Sequence, residues 1–223
     1  MNRIVQCYAA RVSRSDFYTV VHKHLRRSLF DVSVQLGGLD RTNVVTVVDV
    51  FRGIAGMLHG HAQLEDSSVA PLLRQTSADF EAAMTSDHEQ LERQLAAVEA
   101  QVLRLPSLAD DDLELAALDA YRGWNCFVAA YLMHLDDEEK RLFPALGAAN
   151  PAASGVAGLI VQRGDQGLAF LAMLLPILSH DERFEIMRHL RDAPSLFERG
   201  IGVAGASLTP AQLGLLKQAL EMS

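Results

Sequence analysis

The apolar and polar positions of this chain favour helices and give only weak signals for strands. One β-branched run, Val44–Val50, leads directly into an amphipathic stretch, so we interpret it as the start of a helix capped by Asp40 or Asn43. A pair of glycines at 37–38 ends the preceding helix, and Pro71 is expected to break the last turn of the following one. Four long helices are predicted, at about 15–36, 42–73, 77–105 and 110–143.

Three short connections between these helices favour an all-α fold, an up-down antiparallel four-helix bundle over residues 14–147. A small, proline-containing segment at 147–155 is typical of a boundary. Residues 156–223 are then predicted to form a C-terminal helical extension that packs on the bundle or on a second subunit. Ser179 with Glu182 fits a capping box, and Pro210 fits the first position of a helix capped by Ser207 or Thr209.

Composition and charge argue against several classes of function. The 223 residues are 49% hydrophobic and only 6% aromatic, which supports a substantial core and favours helices. The net charge of −8 and the lack of a strong basic run argue against nucleic-acid binding. The N-terminus lacks the apolar region of a secretory signal, and the longest apolar stretch, near Gln166–Ser179, is too short to cross a membrane. Because Cys7 and Cys126 have no metal-binding spacing, a cytoplasmic protein with reduced thiols is expected.

One pattern occurs twice: a histidine, a glutamate four residues later, a second acid directly after it, and then a proline and a leucine. Residues i and i+4 of an α-helix lie on one face, so each copy directs an imidazole and a carboxylate the same way. Two such pairs in a helical bundle predict a site for two transition-metal ions. The copies are His61, Glu65, Asp66, Pro71 and Leu73, and His134, Glu138, Glu139, Pro144 and Leu146.

A two-metal site in a four-helix bundle needs inward ligands from the other two helices as well. The first helix offers His22 or His24, which point to nearly opposite sides, so that only one can face the core. The third helix offers His88. Four imidazoles with two carboxylates suit iron, zinc or copper, and carboxylates can bridge two ions. The competing interpretation, solvated histidines and acids on helix surfaces, does not account for the duplicated spacing.

Taken together, these residues resemble the hemerythrin-like family, the HHE cation-binding domain. The family's pattern is a histidine, a His-x₃-Glu pair, a further histidine and a second His-x₃-Glu pair over four helices. The resemblance covers about residues 16–146, and it favours His22 over His24 as the metal ligand of the first helix. It implies a di-iron centre, two iron ions bridged by the two glutamates and often by an oxo or hydroxo group. The implied metal ligands are His22, His61, Glu65, His88, His134 and Glu138.

The chain departs from the family at one position. Oxygen-carrying hemerythrins have two histidines four residues apart on the third helix, whereas the residue four after His88 is Glu92. Either Glu92 is a further ligand or one iron keeps an open position. The departure argues against simple reversible oxygen carriage and favours peroxide or nitric oxide chemistry, or sensing.

The resemblance implies a protein that binds or reacts with a small diatomic or peroxide, namely O₂, H₂O₂ or NO. As an enzyme, it would run a catalase- or peroxidase-like cycle at its di-iron centre. As a non-enzymatic protein, it would sense or store oxygen, nitric oxide or iron, and a structural bundle holding another metal is a third alternative. The sequence predicts neither a nucleic-acid nor a membrane partner, and it leaves a homodimer open.

Overall fold

The computed structural model describes residues 17–146 and 155–223, and the regular structure in these ranges is entirely helical. The expectation of an all-α fold is therefore confirmed for the described residues. Short 3-10 turns at Leu105–Ser107 and Leu175–Ile177 follow two of the helices. In chain order the helices are α1 (Phe17–Gly37), α2 (Val44–Ser68), α3 (Ala70–Thr76), α4 (Ala78–Arg104), α5 (Asp110–Leu146), α6 (Gly155–Arg163), α7 (Asp165–Leu174), α8 (His180–Leu190), α9 (Pro194–Ser207) and α10 (Pro210–Glu221).

The second predicted helix is two helices, with a turn at Val69 between them. Pro71 has no N–H to donate, and in a regular helix its ring would clash with the carbonyl four residues earlier. The chain therefore starts a new helix, α3, with Pro71 in its first turn. The prediction of a single helix to residue 73 is wrong in its length, although it identified Pro71 as the point of disruption.

The start of α2 is not capped by a side chain in the way that the sequence predicted. Asp40 accepts hydrogen bonds from the backbone N–H and the hydroxyl of Thr42. Asn43 precedes the first helical residue, but its amide donates to the carbonyl of Gly38 and makes no capping bond. Both polar side chains therefore stabilise the turn between α1 and α2, and the helix start is left to the backbone.

Three other helix ends can be compared with their sequence signals. α5 continues through Pro144, where the prediction ended it, because a proline in a last turn removes only one helical hydrogen bond. Ser179 and Glu182 form the predicted capping box at the start of α8. Thr209, and not Ser207, caps α10.

The chain divides into two compact units. One unit is Leu25–Pro151, and the other combines Met1–His24 with Ala152–Ser223. The dividing point falls inside α1, which is continuous across it. The boundary predicted at 147–155 lies almost wholly outside the described residues.

A column of aromatic rings along α5 forms the centre of the unit Leu25–Pro151. Trp124 packs against Phe51 of α2 and against Phe127, with ring centroids 5.3 Å apart in both pairs. Phe127 in turn lies 5.5 Å from Tyr131. The indole N–H of Trp124 donates to the carbonyl of Leu29 at 3.2 Å, so the column is also bonded to α1.

The other unit is built around an apolar cluster of α6–α10, to which Val20 of α1 contributes. Within the predicted C-terminal extension, α6 and α7 are separated at Gly164, whose φ of 55° is a conformation that favours glycine. Gly167 then lets α7 approach α6 closely, since an added Cβ would lie 2.5 Å from the carbonyl oxygen of Ile160. Two glycines therefore determine how these helices pack.

Two further expectations concerned membranes and cysteines. Within residues 17–146 and 155–223, no helix is long and apolar enough to cross a membrane. Cys7 lies outside the described residues, and Cys126 is an exposed free thiol on α5.

Candidate metal centre

Ionisable residues occupy core positions on four helices. On α5 the buried stripe of Trp124, Phe127 and Tyr131 continues at the same spacing with His134 and Glu138. The same change from apolar to ionisable residues occurs along the buried stripe of α2, and the buried faces of α1 and α4 each include a histidine. Because ionisable side chains are rarely buried unless they are paired or bind a cation, these positions mark a site.

The structure brings together the six residues selected from the sequence, and none of them is more than 9% exposed. They form two groups, and within each group one ligand atom from every residue lies within 4.8 Å of the others. Glu65 and Glu138 belong to both groups. Among the described residues, neither His24 nor Glu92 belongs to either. The first group is His22, His61, Glu65 and Glu138, and the second is Glu65, His88, His134 and Glu138.

The spacing of the ligand atoms suits a shared metal ion better than direct hydrogen bonds. His134 Nε2 lies 3.2 Å from Glu138, and the Nε2 atoms of His61 and His88 lie 3.6 Å and 3.5 Å from Glu65. The distances at His61 and His88 are long for N–H···O bonds, and the distance at His134 is at the upper end of their range. They are close to the separation of neighbouring ligand atoms that each lie about 2 Å from one transition-metal ion.

The environment of Glu65 also fits a bound cation. The side chain is 1% exposed, and neither carboxylate oxygen has a hydrogen-bond partner among the described residues. Burying a carboxylate in this state is unfavourable unless a positive charge compensates it. Imidazole nitrogens and carboxylate oxygens together are the ligands of iron, zinc and copper sites, so the residues present fit such an ion.

Burial and neighbouring charges shift the protonation equilibria of the site. Burial, and then the proximity of Glu138, raises the pKa of Glu65 well above its ordinary value. At His88, burial opposes the protonated ring, but the carboxylates of Glu138, Glu65 and Asp66 outweigh it and raise its pKa to about 11. In the metal-free protein, protons therefore compensate the buried carboxylates, and a bound cation would replace them.

Asp66 holds the ring of His88 from its far side. Its carboxylate lies 2.7 Å from His88 Nδ1, while His88 Nε2 faces Glu65 and Glu138 at 3.5 Å and 3.7 Å. A carboxylate on the second ring nitrogen fixes the tautomer and the orientation of a metal-binding histidine. Glu139, the matching acid of the second copy of the motif, pairs instead with Arg26 of α1 at 2.6 Å. The two copies are therefore alike in their ligands and different in their supporting contacts.

Replacing Asp66 with Ala is expected to weaken metal binding by about 10- to 100-fold, because His88 loses the acceptor that orients its ring. Equilibrium dialysis of the metal against the parent protein and the variant measures the effect. Asp136→Ala is the matched control, since Asp136 forms an exposed ion pair with Lys140. Equal affinities for the two variants would contradict an orienting role for Asp66.

Glu92 bonds to a residue outside both ligand groups. One carboxylate oxygen lies 2.9 Å from His59 Nδ1, and His59 Nε2 lies 3.5 Å from Glu99. The hydrogen bond to Glu92 is the main reason that the pKa of His59 is raised, and the contact joins α2 to α4. The side chain of Glu92 is 46% exposed. Of the two alternatives for Glu92, this geometry favours an open position at the metal.

We therefore expect Glu92→Ala to leave both the metal content and the optical spectrum of the iron-loaded protein unchanged. The substitution removes the partly exposed hydrogen bond between Glu92 of α4 and His59 of α2. It removes no contact among the residues of the two ligand groups. Metal analysis and absorption spectroscopy on the same sample make the comparison, with His88→Ala as a variant that should change both. A shifted spectrum at full metal content would instead place Glu92 among the ligands.

A small cavity of about 20 Å³ borders the second ligand group. His88, His134, Glu92 and Tyr131 line it together with apolar side chains. This volume is sufficient for about one water-sized molecule. The sequence analysis did not select Tyr131; its only signal was its position three residues before His134, on the same buried stripe of α5.

Comparisons with known proteins agree with this geometry. Residues 14–146, more than half of the chain, match the model of the hemerythrin family, described as the hemerythrin HHE cation binding domain. The matched range contains all six residues of the two ligand groups. Neither the curated proteins nor the solved structures with which the chain was compared gave a match.

Proposed function

The chain belongs to the hemerythrin HHE cation-binding domain family, and on that premise we propose that it is a non-haem di-iron protein that binds or reacts with O₂, H₂O₂ or NO. Membership of this family supports cation binding. The choice of iron, the number of ions and the small-molecule reaction are the proposal. The observation that carries it is that both ligand groups share the same two buried glutamates.

In this proposal each ion is held by two histidines and by both glutamates. His22 and His61 belong to one group, and His88 and His134 to the other. Carboxylates can bridge two ions, so Glu65 and Glu138 would be the ligands that the two ions share. When both glutamates are deprotonated and the four imidazoles are neutral, the site carries a net negative charge. Two bound cations would compensate that charge.

We assign the ligand-bearing helices α1, α2, α4 and α5 to an up-down antiparallel bundle over residues 14–147, with residues 156–223 as a helical extension. Short connections support the assignment, since only six residues separate α1 from α2. A 3-10 turn and two further residues separate α4 from α5. α4 packs against both α2 and α5.

When bound, iron supplies redox chemistry and a Lewis-acidic position for a small ligand. The protein's own residues prepare the site for it. Asp66 fixes the orientation of His88. The aromatic column of α5 reaches His134, since the ring of Tyr131 lies 5.8 Å from the imidazole, and apolar rings there exclude bulk water. An open position beside the second group is consistent with a reaction at that side of the site.

Metal analysis together with an optical spectrum tests the proposal. Protein expressed in iron-replete medium is expected to contain about two iron ions per chain and to absorb in the near-ultraviolet when oxidised. One ion or fewer per chain after anaerobic ferrous loading would contradict a di-iron site, and bound zinc, which has no such absorption, would favour the structural alternative. Turnover of H₂O₂ by the iron-loaded protein separates an enzyme from a sensor or storage protein.

A further inference from the structure

Tyr131 is a buried phenol whose hydroxyl has no hydrogen-bond partner among the described residues. Its side chain is only 4% exposed. A buried polar group without a partner destabilises a folded protein. Phenylalanine would fill the same space without that penalty, so the hydroxyl is expected to serve a group that the protein binds.

The ring of Tyr131 lines the cavity beside the second ligand group. It packs against His134, with ring centroids 5.8 Å apart, and shares the cavity wall with His88. The rest of the wall is mainly apolar and includes Leu91 and Phe127. The cavity has a volume of about 20 Å³, which is room for about one water-sized group, such as the outer atom of a small ligand.

We propose that this cavity is the pocket for the small ligand of the metal centre, and that the hydroxyl of Tyr131 donates a hydrogen bond to the outer atom of that ligand. The inference rests on the proposed function, because the inner atom of the ligand needs a metal ion held by His88 and His134. In this inference Tyr131 positions the bound small molecule and influences which small molecules bind. Apart from His88, His134 and Glu92 the rest of the wall is apolar, so a hydroxyl donor there favours small ligands whose outer atom accepts a hydrogen bond over those that accept none.

The first experiment uses the metal-free protein and is independent of any ligand. Tyr131→Phe is expected to melt at the same temperature as the parent protein or a few degrees higher, because it removes an unpaired buried hydroxyl. Tyr121→Phe, the same substitution on the same helix but outside the cavity, is the control. A marked fall in the melting temperature of Tyr131→Phe alone would show that the hydroxyl has a structural partner, and it would overturn the inference.

The second experiment measures azide binding to the oxidised, iron-loaded protein by absorption titration. Azide is a small anion with charge on its outer nitrogen, and it probes the pocket without turnover. Loss of one hydrogen bond is expected to raise its dissociation constant in Tyr131→Phe by roughly 3- to 10-fold. Tyr121→Phe should bind azide as the parent protein does, and all three proteins should contain the same amount of iron.

The remaining outcomes are distinct from one another. Equal azide affinity in Tyr131→Phe and the parent protein, at equal iron content, overturns the role of Tyr131 and leaves the proposed function intact. Failure of the iron-loaded parent protein to bind azide overturns the pocket. A visible absorption band that Tyr131→Phe lacks before azide is added would make the phenol a metal ligand and not a donor to the small molecule. A parent protein that takes up no iron refutes the proposed function itself.

Discussion

Replacing Glu65 with Gln is expected to remove most metal binding and, in the same protein without metal, to increase stability. Glu65 belongs to both ligand groups and is 1% exposed. Glutamine has nearly the same shape but no charge, and its amide is a poor ligand for a transition-metal ion. Because both ions would lose a shared ligand, the metal content should fall from about two ions per chain to fewer than one. Elemental analysis after anaerobic ferrous loading measures the loss.

The gain in stability follows from the raised pKa of Glu65, which has its cause in burial and in the neighbouring Glu138. A carboxyl whose pKa is raised by folding contributes its full stability below its unfolded pKa, near 4.5, and loses it as the pH rises through the raised value. The advantage of Glu65→Gln over the parent protein should therefore be small at pH 5. It should reach on the order of 1–3 kcal/mol in the free energy of unfolding near pH 8.

Glu89→Gln is the matched control, because Glu89 is 68% exposed on α4. Its ion pair with Arg93, at 3.9 Å, contributes little to stability. Chemical denaturation of the metal-free proteins at pH 5 and pH 8 gives the comparison. If Glu65→Gln kept two ions per chain, the shared position of Glu65 would be wrong. If it destabilised the metal-free protein at pH 8, the carboxylate would have a compensating partner.

For each bound ion, iron loading is expected to raise the melting temperature of the protein by about 8–16 °C when free metal exceeds its dissociation constant a thousand-fold. A ligand that binds only the folded state at that ratio adds about 4 kcal/mol, and each kcal/mol corresponds to about 2–4 °C in a chain of this size. The physical cause is the replacement of protons by cations among the buried carboxylates. Differential scanning calorimetry with and without ferrous iron under anaerobic conditions measures the shift.

Two controls make this second prediction specific. Mg²⁺ at the same concentration should leave the melting temperature unchanged, because it prefers oxygen ligands and the groups are rich in imidazole. Glu65→Gln should lose most of the shift with iron. A shift of equal size for Mg²⁺, or for iron in Glu65→Gln, would locate the bound cation elsewhere on the protein.

The amino-acid sequence by itself determined the helical fold class and the family, and it selected the residues of the candidate site. These properties are local. A histidine and a glutamate four residues apart share a helix face whatever surrounds the helix, as His61 with Glu65 and His134 with Glu138 do. The capping box at Ser179 is equally local, because its partner lies within the next turn. Such signals depend only on backbone geometry within one turn, so they can be recognised without knowledge of packing.

The tertiary structure decided which side chains meet across helices. Asp66 orients His88 and Glu92 bonds to His59, although Asp66 directly follows one predicted ligand and Glu92 lies one helical turn after another. His22, and not His24, joins the buried groups, which the ambiguous periodicity of α1 could not establish. The unpaired hydroxyl of Tyr131 is visible only once its surroundings are known. Asp66, Glu92 and His22 meet groups on other helices, and these contacts depend on how the helices rotate and pack, which the spacing of residues along one helix does not specify.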